Sequence, residues 1–364
     1  MEIGLYTLSE LVTDPATGKR VTARQRIDET VAAAKLADEA GLDVFAIGEH
    51  HRLDYAVSSP AMVLATIAAV TKRIRLSTSV TVIAAADPVR VFEDFATLDL
   101  LSGGRAEVML GRGAFSEPFA LAGVSGEAYD SAFVENFGLF RQLGANERVT
   151  WSGTTRPALC NAEIAPRPLQ PVIPSWIAVG GSPGSAERAG RLGAPVVLAS
   201  LGGPIRGNVG AASSYRAAGA AAGFAPAQLR IAMANHTYIG ETSRGARDDF
   251  HRYYCNYWSQ ALGAPHPLSR VSRSEFDRMT GPDTTLMVGS SQEVVDKLLV
   301  QHALVGNDRF LAQLDIGAQP FKQVARAIER LATEVAPQVR AATAFAATPT
   351  VLNVRSGHVQ YAAV

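Results

Sequence analysis

The chain has 364 residues, a length that allows two or three domains or a single α/β barrel with insertions. Its 34 basic residues balance 34 acidic ones, which argues against the basic surface that nucleic acid or an anionic membrane requires; a small molecule or a second copy is the expected partner. No apolar stretch has the length of a membrane span, the opening MEIGLYTL reads as a strand without a signal core, and Cys160 and Cys255 have no disulfide or metal-ligand spacing, so a soluble cytoplasmic protein with free thiols is expected.

Short apolar runs then alternate with longer amphipathic or Ala-rich segments. IGLYTL (3–8) precedes a helical pattern at 23–40, DVFAIG (43–48) one at 60–71, and IRLSTSVTVI (74–83) one at 88–102. AEVML (106–110) comes next, followed by PSWIAV (174–179) with a helix at 182–192 and PVVLAS (195–200) with one at 205–222. RIAMANHTYI (230–239) leads to helices at 242–261 and 290–304, and RFLAQLD (309–315) to one at 320–335. Eight strands in this alternation fit a (β/α)8 TIM barrel with insertions better than an open doubly wound sheet. A Pro-, Gly- and Thr-rich stretch at about 145–173 reads as a hairpin excursion, and 262–289 as a second insertion, after which Ser290 and Glu293 have the spacing of a helix cap. The barrel domain is expected to span 1–340; the tail, 341–364, has no assigned place in it.

In this fold, active sites collect at the carboxyl ends of the strands. The second strand ends in IGEHHRL (47–53), with Glu49, His50 and His51 in succession. Neighbouring side chains on extended backbone point apart, so at most one of the two histidines faces a central pocket. That makes a two-histidine metal site poor, and His236, His251, His266, His302 and His358 add no metal motif. An acid/base role, contact with a polar cofactor and a structural role at a strand end all remain open for His50. After the fifth strand, VGGSPGSAERAGRLG (179–193) offers a tight turn at Gly180 and Gly181, Ser182 as an N-cap, Pro183 and a first-turn Ser185, which suits an anion at a helix N-terminus or ordinary capping. In LGRGAF (110–115), Arg112 lies between Gly111 and Gly113 at the end of the fourth strand; it could reach the same anion across the mouth or form a structural ion pair.

The combination of AIGEHHR, STSVTVIAAADPVRVFEDFATLDLLSGGRAEVMLGRG and IAVGGSPGSAERAGRLG resembles the bacterial luciferase-like superfamily of flavin-dependent monooxygenases and oxidoreductases, over roughly residues 1–340. The resemblance implies a barrel that binds FMN at its carboxyl end, commonly as a dimer. It places His50 beside the flavin ring as the catalytic residue, with Glu49 and His51 close by, and Ser79 and Val80 at a non-prolyl cis peptide under the ring. Arg112, Ser182 and Ser185 would hold the phosphate, with backbone contacts from Gly111, Gly113, Gly180 and Gly181. An arginine that the family carries near the phosphate falls around Tyr129 and Asp130, and the aldehyde-pocket residues of true luciferase do not carry across.

The activity so implied is oxygenation of a small organic substrate by dioxygen and reduced FMN. A separate flavin reductase would supply the reduced FMN, because no nicotinamide fingerprint is present. Segments 114–130, 201–212 and 262–289 are expected to form a lid or substrate wall. A deazaflavin-dependent dehydrogenase and a non-catalytic flavin-binding protein are the alternatives. A homodimer is expected from the resemblance and from Ala-rich helices such as ETVAAAKLADEA.

Overall fold

A computed structural model describes residues 1–113, 115–125, 129–180, 183–260 and 266–344. Its strands are β1 (Glu2–Thr7), β2 (Val44–Ile47), β3 (Arg75–Thr78), β4 (Val108–Leu110), β5 (Arg148–Trp151), β6 (Leu159–Glu163), β7 (Ser175–Val179), β8 (Val196–Ala199), β9 (Ile231–Gly240), β10 (Met287–Ser290) and β11 (Arg309–Gln313). Its helices are α1 (Ala23–Glu39), α2 (Pro60–Val70), α3 (Pro88–Ser102), α4 (Glu117–Ala122), α5 (Tyr129–Ala145), α6 (Pro183–Arg191), α7 (Val209–Ala221), α8 (Ser243–Gln260), α9 (Arg273–Met279), α10 (Ser291–Val305), α11 (Phe321–Arg330) and α12 (Ala336–Ala344).

The strands run in the order β3-β2-β1-β11-β9-β8-β7-β4, every adjacent pair parallel. Parallel bridges from Leu76 to Ala106 and from Thr81 to Leu110 close β3 onto β4, so the eight expected strands form a barrel. The third is shorter than its apolar run. Regular pairing of β3 stops at Thr78, the Ser79–Val80 peptide bond is cis, and the chain turns into a short 3-10 segment at Ile83–Ala85.

The insertion after α5 is the expected hairpin, β5 paired antiparallel with β6. Elements α4, α5, α9 and β10 lie outside the sequence reading. Helix α5 carries Phe133, Phe137 and Phe140 at helical spacing on its buried side, a pattern interrupted by Gly138. Strand β10 pairs with the outer half of β9, beyond the stretch that pairs with β11. The expected cap before α10 is present: Ser290 Oγ accepts from the Glu293 amide at 3.4 Å. The last helical region runs past 335, continuing through a π-helical turn into α12.

Two apolar layers hold the barrel. Alternate strand residues pack outward against the helices, and the others, including Tyr6, Val44, Ala46, Met109, Trp176, Val197, Ala232, Ala234 and Leu311, meet inside. Ala33, Ala34 and Ala37 of α1 are buried against the barrel, so this Ala-rich stretch does not supply the apolar outer surface expected of it. Small side chains there let helix and sheet approach closely.

At the amino-terminal end the barrel is plugged by charge. Arg309 and Glu107 are each 1 % exposed and pair through two contacts of 2.6 and 3.2 Å. Arg309 Nε also donates to Glu2 at 2.8 Å, Arg75 Nε to Glu107 at 3.0 Å, and Arg230 to Glu2 at 2.9 Å. The Arg309 guanidinium lies 4.3 Å from the Trp176 ring centre. No helix among the described residues is long and apolar enough to cross a membrane.

Candidate active site

The carboxyl end is built differently. Continuing the inward alternation by one step brings Gly48 after β2, Gly111 after β4, Gly180 after β7 and Ala199 at the end of β8 to the top of the interior, while after β3, past the cis bond at Ser79, Val80 packs against the interior cluster. These strands are consecutive around the barrel, so one arc of the mouth is floored largely by small residues. A Cβ at Gly111 would lie 3.0 Å from Val80, and one at Gly48 2.9 Å from the His50 ring, so larger residues would strike the cis-peptide segment and the histidine. A Cβ at Gly180 would meet nothing within 4 Å. Farther round, β9 and β11 carry His236 and Gln313, partners in register with each other.

His50 stands on the rim beside the small-residue arc. Its ring is 7 % exposed, stacks on Tyr55 at 4.0 Å and meets Phe115 edge-on at 5.5 Å. Burial drives its pKa down to about 4, so the imidazole is neutral at physiological pH rather than poised near neutrality. Nδ1 has no hydrogen-bond partner among the described residues.

His51 points elsewhere, its Nε2 2.9 Å from Glu49 Oε1, while Glu49 Oε2 accepts from the Val82 amide at 3.1 Å. Glu49 thus ties the end of β2 to the segment just past the cis peptide, and only one of the two histidines faces the interior. Among the described residues no three His, Cys, Asp or Glu side chains stand together as a metal-binding group.

A second cluster forms where β4 and β7, neighbours in the sheet, end. Gly113 takes a positive φ of 73°, a backbone state that glycine adopts without strain, and the preceding Arg112 is exposed with its guanidinium 5.4 Å from the Tyr129 ring. Arg188 of α6 lies 5.8 Å from the same ring, pairs with Asp130 at 2.6 Å and reaches Ser185 Oγ at 3.5 Å. Arg112 and Ser185 therefore stand side by side on neighbouring strand ends, not across the mouth as expected, because β5 and β6 leave the barrel and make β4 and β7 adjacent. Gly181 and Ser182 lie outside the described residues.

Several neighbours escaped the sequence reading. Arg188 is one helical turn beyond Ser185, and that spacing could have revealed it. His236 follows the inward positions Ala232 and Ala234 by alternation, which was equally legible. Tyr55 and Phe115 reach His50 from loops and gave no signal. Nor did Glu10, which is 4 % exposed and pushed up to about 8 by burial; its Oε2 accepts from the Gly317 amide at 2.9 Å, and its Oε1 has no described partner.

Of the candidate lid segments, 114–130 contains α4 and enters α5, 201–212 enters α7 through a 3-10 turn, and the described part of 262–289 contains α9 and enters β10.

The chain matches the luciferase-like monooxygenase family over residues 1–308. It is 25 % identical to the oxygenase component of a flavin-dependent trigonelline monooxygenase from Acinetobacter baylyi, an alignment covering 93 % of this chain and 95 % of that one. In structure it resembles the oxygenating constituent of the Pseudomonas putida 3,6-diketocamphane monooxygenase, solved with FMN, at a TM-score of 0.75 and 18 % identity, with 93 % and 99 % of the chains covered. The coenzyme F420-dependent tetrahydromethanopterin reductase of Methanopyrus kandleri shares the fold at a TM-score of 0.72 and 18 % identity, with the same coverage. Since the family match takes in every barrel strand except β11, the chain belongs to the luciferase-like monooxygenase family and is an oxygenating oxidoreductase.

Proposed function

We propose that this protein is the oxygenase component of a two-component system that uses dioxygen and reduced FMN to oxygenate a small organic substrate, with a separate reductase supplying the reduced flavin. The observation that carries this reading is the arc of small residues from Gly48 to Ala199, with His50 at one end and Arg112, Arg188 and Ser185 beside it. A planar ring suits the floor, and a phosphate suits the two guanidinium groups near the start of α6. FMN fits these residues: Ser79, Val80, Gly111 and Gly180 would lie under or beside the ring, Glu49 would brace the strand end, and Gly113 would add a backbone contact; Gly181 and Ser182 are proposed for backbone and hydroxyl contacts on the family resemblance alone. Bound reduced FMN would supply the two electrons with which one atom of dioxygen enters the substrate and the other leaves as water.

The side chains position and exclude. Tyr55 and Phe115 fix the His50 ring and shield it from solvent, so Nδ1 is held ready to accept or relay a proton. Because burial keeps His50 neutral, it begins the cycle as a base or hydrogen-bond partner, not as an acid. The relative named as an oxygenase component supports a separate reductase. Free Cys160 and Cys255 suit a reducing cytoplasm. A homodimer is part of the reading: Met62 of α2 and Leu101 of α3, helices packed on each other, are 71 % and 62 % exposed, and pairing would cover them. Sedimentation showing only monomer at micromolar concentration would reject the dimer.

The test of function supplies reduced FMN and labelled dioxygen and screens aldehydes, alkanes and aromatic polyketides by mass spectrometry. Incorporation of one labelled oxygen atom is expected. The F420-dependent fold neighbour motivates a second arm, in which anaerobic turnover with a deazaflavin and none with FMN would replace the oxygenase reading by a dehydrogenase one.

A further inference from the structure

His236 and Gln313 are partners in register on β9 and β11 and both turn into the barrel, one step above Ala234 and Leu311. They are 0 % and 1 % exposed. Gln313 touches the His236 ring without forming a well-made hydrogen bond, and no other described residue partners the polar atoms of either side chain. Polar functions placed this way are costly, because at most one on each side chain is met by the other and the rest are buried without a partner. One step lower, the same strands meet the interior with apolar side chains.

Aromatic rings from α8 wall this pair. Tyr257 meets His236 edge-on at 4.9 Å, Tyr254 lies at 6.1 Å, and Trp258 stands 5.1 Å from Tyr257 and stacks on His266 at 4.5 Å. Tyr254 Oη and Trp258 Nε1 face each other, and neither has a well-made hydrogen bond to a described residue. The wall is aromatic, its rings set edge to face, with a polar fringe, and edge-to-face and stacked contacts of this kind are how a protein holds an aromatic ligand.

We propose that His236 and Gln313 are the polar contacts of the substrate pocket and that the substrate is a neutral aromatic molecule bearing a hydroxyl or carbonyl oxygen, its ring held against Tyr257 and Trp258. This deepens the oxygenase reading and rests on it for the role of the pocket. The required neutrality comes from the contacts. A glutamine is uncharged, and burial holds His236 down to about 3, against the opposing influence of Gln313, so the pair presents donors and acceptors without net charge. The carboxyls near this wall are partly engaged, Glu10 by the Gly317 amide and Asp315 by the Thr7 hydroxyl, and burial raises the pKa of both.

The test is equilibrium binding of 2-naphthol to the full-length protein, followed by its own fluorescence, with and without FMN. On wild type, 2-naphthol is expected to bind at least about fivefold more tightly than 2-methylnaphthalene, which has nearly the same shape but no hydroxyl, and more tightly than 2-naphthoate or decanal. His236→Phe and Gln313→Leu, each checked for a native melting transition, should erase the advantage over 2-methylnaphthalene while leaving FMN affinity unchanged. Equal binding of 2-naphthol and 2-methylnaphthalene to wild type overturns the proposal without any variant, as does tighter binding of 2-naphthoate, decanal or the cation N-methylquinolinium. An advantage that survives in both variants overturns the assignment of these two residues. If 2-naphthol binds as expected and FMN does not bind, the flavin reading falls and the pocket stands; the reverse pattern overturns the pocket and leaves the flavin reading intact.

Discussion

The two ends of this barrel handle buried polarity in opposite ways. At the amino-terminal end, Glu107, Arg309, Glu2, Arg75 and Arg230 form a closed set in which each charge faces an opposite one, and Trp176 covers the guanidinium of Arg309. At the carboxyl end, His50, His236, Gln313 and Glu10 all keep at least one polar atom without a described partner. A satisfied network can rigidify a fold and needs nothing further, whereas unpartnered groups raise the energy of the protein alone and lower it again when a ligand supplies the missing contacts. The first pattern suits stability and the second suits binding, in keeping with the general division of labour between the two faces of such barrels.

The largest effect should come from breaking the closed end. Glu107→Ala leaves Arg309 buried with only its Glu2 contact and should cost about 3–5 kcal/mol of unfolding free energy, read from urea denaturation, while FMN affinity per folded molecule stays unchanged. A loss below about 1 kcal/mol would mean that the network contributes little and that the contrast between the ends is superficial.

At the open end, His50→Phe keeps a ring stacked on Tyr55 but removes Nδ1. Turnover should fall roughly a hundredfold, with melting temperature and FMN affinity nearly unchanged. Lowered stability with normal product formation per folded molecule would make this histidine structural and move it to the other side of the comparison.

A smaller change is expected at the phosphate cluster, which faces solvent. Arg112→Ala should weaken FMN by about 2 kcal/mol more than it weakens riboflavin, the scale of one charge-assisted contact. Equal losses for the two flavins would remove Arg112 from the phosphate site.

The smallest and most diagnostic effect concerns pH. Glu10 has a folded pKa of about 8, above its ordinary 4.5, because burial disfavours the carboxylate. Between those values the folded protein binds more protons at this position than the unfolded chain does, so the contribution of Glu10 is fully present below 4.5 and is lost as pH rises through 8. Glu10→Gln should therefore lose less melting temperature than wild type between pH 6 and about 9. Parallel curves for the two proteins would show that Glu10 is already ionised and paired. The histidines act on the acid side. With folded pKa values of about 4 for His50 and about 3 for His236, both below 6.5, their contribution is present above 6.5 and declines as pH falls toward those values.

Much of the architecture is written locally. Strand runs such as DVFAIG and PVVLAS and the helical spacing between them fix which way side chains can face, and that periodicity needs no knowledge of distant residues. The same holds for Gly113, for Ser290 capping Glu293, and for the rule that only one of His50 and His51 can point inward. Helix α5 shows the limit, because its aromatic stripe has the right period but Gly138 blurs the pattern.

Which residues meet was decided only in three dimensions. Tyr55 reaches His50 because the loop after β2 folds back, with the His50 amide bonded to the Val57 carbonyl at 3.0 Å. Glu107 and Arg309 are 202 positions apart and meet because β4 and β11 open toward the same end of a closed barrel. Arg112 joins Arg188, and His236 joins Gln313, only through strand order and register. The sequence by itself determined the eight barrel strands, most of the helices between them and their inward faces, because backbone period and turn chemistry act over a few residues. Closure of the barrel decided the partners of each polar side chain, because burial, and the cost of leaving a group unpaired, depends on what the rest of the chain brings beside it.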